Sequence, residues 1–198
     1  MRHRLFRALL PALTLFALVS CDGDPSGPDP VSEDQLVFLR AAPGSPPLAA
    51  LEKSFWVKVR DGGEVEIPYT NGHECLEFKI PGDALLRKPD GSAFARNDSV
   101  LITVRVVDAG GFNFEFQPSG LTFRRDRPAE LRVSYRYADR DFDGNGVINQ
   151  ADTDFDFAFY KQERAGEDWT RIGTARLKDL QELRAEIFGF TKYAAAGE

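Results

Sequence analysis

From residue 54 onward, the apolar residues of this chain return at every second position, in one short run after another. Phe55, Val57 and Val59 alternate with Trp56, Lys58 and Arg60. After Asp61-Gly62-Gly63 come Val65, Ile67 and Tyr69, and after Asn71-Gly72 come Leu76, Phe78 and Ile80. A period of two puts successive side chains on opposite faces of a strand, and Asx-Gly pairs between such runs are hairpin signals. Val100, Ile102, Val104 and Val106 continue the pattern, followed by Phe112, Phe114 and Phe116, by residues 121–123, and by Leu131, Val133, Tyr135 and Tyr137. Phe155, Phe157 and Phe159 alternate again, residues 169–174 and 182–188 read as further strands, and residues 193–196 close the pattern. Sixteen Phe and a single Met fit strands better than helices. About ten short strands separated by turn residues predict an all-β fold, an antiparallel β-sandwich. Two helical pieces are expected within it, one turn at residues 83–86 and a short helix at residues 175–183.

One stretch breaks the alternation. Residues 141–152 read DFDGNGVINQAD and place oxygen-bearing side chains at loop positions one, three, five, nine and twelve: Asp141, Asp143, Asn145, Asn149 and Asp152. Gly146 stands at position six, where a calcium loop turns sharply, and Ile148 at position eight is expected to pin the loop to a core. A hard cation such as Ca²⁺ takes six to eight oxygens, and this spacing supplies them. The expected ligands are the side chains of Asp141, Asp143 and Asn145, the carbonyl of Val147, Asn149 directly or through water, and Asp152. Strand-like sequence on both sides of the loop predicts a calcium staple rather than a helix-flanked sensor. Asp154 and Asp156 extend the site or face solvent. His73 and Glu74 are a weaker metal or acid–base pair, because the other histidine, His3, lies far away in the leader.

That leader bounds the compartment. Arg2, Arg4 and Arg7 precede an uncharged run over residues 8–20, too short to span a bilayer comfortably and of secretory-signal proportions. It ends LVSC at Cys21, which resembles the bacterial lipoprotein signal, whose cysteine is acylated and becomes the new N-terminus. The resemblance implies a lipid-anchored protein of the bacterial cell envelope, facing away from the cytoplasm. Asp22 resembles an inner-membrane retention signal of some bacteria, whose meaning varies with the host. Residues 21–50 then hold the lipid-attachment Cys21, a Pro- and Asp-rich tether over residues 22–30 and a possible first strand at residues 35–40. With Cys21 acylated, Cys75 has no intrachain partner and is either a reactive thiol or a small packing residue. Beyond residue 20 the chain carries 22 basic and 31 acidic residues, a charge of −9 that argues against non-specific nucleic-acid binding.

Three segments carry a second resemblance. Residues 80–85 (IPGDAL), 116–123 (FQPSGLTF) and 188–194 (FGFTKYA) are similar, in that order, to motifs of the domain found in zonula-occludens proteins, netrin receptors and ankyrins. The likeness covers residues 51–197, and the family is a β-sandwich used mainly for protein contacts. Some members cleave themselves at a His-Phe-Ser motif. Here Gly189 stands in place of the His and Thr191 in place of the Ser, so no self-cleavage is expected. The loop at residues 141–152 departs from that family and resembles a dockerin-type calcium loop inserted between sandwich strands.

The expectation is a signal peptide over residues 1–20 and a sandwich domain over residues 51–198 that serves as a non-catalytic interaction module with one structural Ca²⁺. Its partners would be the membrane, through the lipid, and another protein or cell-envelope component. The alternatives are a docking component of a larger cell-surface assembly, for which a second copy of the loop is missing, and a hydrolase using surface carboxylates. No Gly-rich phosphate loop, Ser-His-Asp arrangement or CxxC pair is present.

Overall fold

The computed structural model describes residues 28–198; the leader, Cys21 and most of the tether lie outside them. Two antiparallel sheets face each other and bury the alternating residues between them. The first sheet runs, in spatial order, β11 (Thr170–Arg171), β10 (Phe157–Gln162), β14 (Lys192–Gly197), β7 (Asn113–Gln117), β6 (Ser99–Val106) and β2 (Glu52–Lys58), and β1 (Val37–Phe38) pairs with the end of β14. The second runs β12 (Thr174–Leu177), β13 (Glu182–Ile187), β9 (Ala129–Ser134), β4 (Glu74–Ile80) and β3 (Gly63–Pro68). A small ribbon of β5 (Leu85–Arg87) and β8 (Thr122–Phe123) completes the all-β fold.

The registers explain the core. On β6, Ile102, Val104 and Val106 point inward, as the sequence pattern requires, and β7 sends Phe114 and Phe116 to the same side. They meet Leu76, Phe78, Leu131 and Val133 of the opposite sheet, all fully buried. The ring centroids of Phe78 and Phe116 are 4.6 Å apart, and Phe190 stands 5.7 and 5.5 Å from them. Between β2 and β3 the chain turns at Gly62, whose φ of +72° and closeness to the Ile80 carbonyl leave no room for a Cβ.

Cys75 is 3 % exposed, and burial pushes its thiol up to about 11. The packing role is therefore the one the fold supports. A maleimide at neutral pH is expected to leave Cys75 unmodified in the native protein and to label it rapidly in denaturant, read by intact mass; fast native labelling would mean that the thiol is accessible.

Four sequence expectations change. Residues 83–86 make no helical turn: the chain turns at Gly82 and Asp83, with Asp83 at φ +58°, and Leu85 and Leu86 already belong to β5. Residues 174–187 form the hairpin of β12 and β13 instead of a helix, with Gln181 at φ +54° in its turn. The single-faced alternation read at residues 155–159 is in fact a strand buried on both faces: Phe157 and Phe159 enter the main core, while Ala158 and Tyr160 enter a second cluster with Leu36, Trp169, Ala194 and Ala196. Residues 31–38 supply the cover for that second face, with Val31 and Trp169 exchanging backbone hydrogen bonds of 2.7 and 2.8 Å. Finally, a five-residue helix, α1 (Gln150–Asp154), takes up the last residues of the loop and leads towards β10.

Candidate metal centre

The loop over residues 141–152 leaves the second sheet after β9 and returns to the first sheet at β10. It is thus a connection between the two layers. Its start is fixed by Phe142, whose ring lies 4.9 Å from Phe157 and 6.3 Å from Tyr135. The Arg176 guanidinium sits 3.7 Å above the Phe157 ring and donates to the Phe155 carbonyl at 2.6 Å. Ile148 does not have the anchoring role expected of it: it is 64 % exposed, next to an equally open Val147. The aromatic at position two holds the loop, because its ring reaches Tyr135 just after β9 and Phe157 of β10, whereas the side chain at position eight faces solvent.

Within the loop, Asp141, Asp143 and Asp152 come together, each offering a carboxylate oxygen within 4.8 Å of the others. Among the described residues no other group of three metal-ligating side chains is present. The backbone folds around these carboxylates. The Gly146 N–H donates to Asp141 Oδ2 at 2.8 Å, across a turn in which Gly146 adopts the expected left-handed conformation, φ +84°. The Asn145 N–H donates to Asp143 Oδ1 at 3.1 Å. Asp152 is buried, and its two oxygens accept from Phe142 N–H at 2.7 Å, Asp143 N–H at 3.3 Å and Asn149 N–H at 2.8 Å. The Asn149 amide, followed by those of Asp143 and Phe142, holds the Asp152 carboxyl below the usual range.

The other expected ligands divide. Asn145 Oδ1 accepts from Val147 N–H at 2.8 Å, and the Val147 carbonyl accepts from the Asn149 side-chain amide at 2.9 Å. Asn149 Oδ1 accepts from Ala151 N–H at 2.7 Å and caps α1, with Asp152 closing a reciprocal capping box. Asn149 and Asp152 therefore each serve the helix start as well as the loop. Their N-x-x-D spacing is a capping signal in the sequence that coincides with the metal pattern. Asp154 and Asp156 lie outside the carboxylate cluster, and Asp156 pairs with Arg171 at 2.7 Å on the surface. His73 and Glu74 are exposed and belong to no cluster.

The donor set fits a hard cation. Three carboxylates this close repel one another unless positive charge enters. Asp141 Oδ1 is buried and has no hydrogen-bond donor, so it is left free to ligate. At the position compared with a self-cleaving serine, Thr191 is buried and its hydroxyl donates to the Gln162 carbonyl. Compared with protein-family models, with curated proteins and with solved structures, the chain matches none.

Proposed function

We propose that this protein is a lipid-anchored, extracytoplasmic β-sandwich that acts as a non-catalytic interaction module and is stabilised by one Ca²⁺. The observation that carries the calcium part is the convergence of Asp141, Asp143 and Asp152 in a loop that joins the two sheets. Asp141, Asp143, Asn145, Val147, Asn149 and Asp152 would hold the ion, which would supply the positive charge the carboxylates lack. Closing the loop then ties β9 to β10 and acts as a staple. The anchor rests on the likeness of the segment ending at Cys21 to the bacterial lipoprotein signal; no helix among the described residues is long and apolar enough to cross a membrane. The interaction role rests on the likeness to the domain of zonula-occludens proteins, netrin receptors and ankyrins. It gains support from Trp56, 67 % exposed on β2 opposite a half-exposed Leu101, since exposed tryptophans serve as interface anchors. The partner would be another protein or a cell-envelope component.

Intact mass of the mature protein extracted from membranes tests the anchor and the non-catalytic reading together. The expected species begins at an acylated Cys21 and is uncut before Thr191. An unmodified N-terminus would remove the anchor, and a fragment beginning at Thr191 would show self-cleavage. Melting with and without calcium tests the ion.

A further inference from the structure

We infer that the cleft between the second sheet's β12–β13 edge and the first sheet is a binding site for a small, uncharged, largely apolar molecule carrying one hydrogen-bonding group. The cleft encloses about 800 Å³. That is within the range of roughly 300–1,000 Å³ typical of small-molecule sites. Its walls are apolar: Leu121, Phe190 and Tyr193 at the back, with Ile172 and Phe188 nearer the mouth. Phe188 is 45 % exposed, a large apolar side chain left facing the opening.

One polar group in this wall has no partner. The Thr122 hydroxyl oxygen is buried and makes no hydrogen bond. Tyr193, by contrast, has its hydroxyl satisfied by the Gly189 carbonyl at 2.6 Å and offers the cleft only its ring. An orphan hydroxyl in an apolar wall is a cost to the fold that a ligand's polar atom relieves. The rim selects against anions. Lys161, Arg184 and Glu130 are already ion-paired, with Glu163, Glu182 and Arg132, while Glu186 adds negative charge. A carboxylate or phosphate would find no free cation there, and the apolar walls penalise burial of a cation, so the ligand is neutral. The cleft shares no lining residue with the carboxylate loop, and this site is independent of calcium.

The test uses N-phenyl-1-naphthylamine, an uncharged aromatic amine with one N–H, titrated into the soluble protein lacking the leader and Cys21. Saturable, single-site fluorescence enhancement is expected. Gly173 lines the cleft, and a Cβ there would meet no atom within 4 Å. Gly173→Leu is therefore expected to keep the native melting temperature and to abolish binding. Ala175→Leu, at an exposed cleft position, provides the same reading if Gly173→Leu does not fold. Thr122→Val is expected to weaken binding roughly threefold to tenfold, the share of one hydrogen bond. No saturable binding by the wild type, or undiminished binding by a folded cleft-filling variant, would overturn the proposal. Wild-type affinity in Thr122→Val would overturn the hydroxyl's part in it.

Discussion

Phe116→Ala is expected to cost about 3–5 kcal/mol, the range for deleting a fully buried phenylalanine. Phe116 is 0 % exposed and touches rings from both sheets: Phe78 at 4.6 Å, Phe190 at 5.5 Å and Tyr193 at 5.6 Å. Removing it leaves a void that none of three rigid rings can collapse to fill. For a domain of this size the loss corresponds to a drop of roughly 6–20 °C in Tm. Since whole domains are stable by only about 5–15 kcal/mol, the variant is expected to sit close to the folding limit. Leu180→Ala, at a turn position 54 % exposed, is the control and is expected to change stability by no more than about 0.5 kcal/mol. Urea denaturation of the three proteins reads this directly, and a Phe116→Ala protein as stable as the Leu180→Ala control would contradict the sandwich core.

The second large effect concerns Asp152. It organises the loop even before any ion enters, because three backbone amides, of Phe142, Asp143 and Asn149, donate to it. The Asp143 side chain, in contrast, bonds only to Asn145. Asp152→Ala should therefore lower Tm both in calcium and in chelator, since three backbone amides lose their acceptor and α1 loses its capping box. Asp143→Ala should leave Tm in chelator nearly unchanged and remove only the response to calcium. If the two variants melt alike in chelator, the backbone role of Asp152 is wrong.

Much of the fold was readable because burial on one side of a strand writes a period of two into the sequence. Phe112, Phe114 and Phe116 are such a case, and so are Ile102, Val104 and Val106. The pattern fails where burial is not one-sided. Residues 157–162 are covered on both faces, and the second cover comes from Leu36, far away in sequence, and from Trp169, beyond the next turn. It fails again at β12, a half-exposed edge strand whose residues, Thr174, Ala175, Arg176 and Leu177, show no clear alternation. In the loop, the carboxylate positions and the Gly146 turn were legible because ligand chemistry fixes their spacing. The anchor was not: Phe142 holds the loop through contacts with Tyr135 and Phe157, which depend on how β9 and β10 face one another. The cleft draws its lining from β8, β9, β10, β12, β13, β14 and the segment before β14, so no local pattern announces it.

The most direct measurement is thermal melting of the wild-type and Asp143→Ala proteins across a calcium titration, with chelator as the zero point. At about ten times the dissociation constant, the ion contributes about 1.4 kcal/mol. In a domain of this size that is a rise of roughly 3–6 °C. The expected result is a wild-type Tm that climbs and saturates with calcium, responds less to magnesium, and does not move in Asp143→Ala. Wild-type protein melting at the same temperature in chelator and in saturating calcium would contradict the staple.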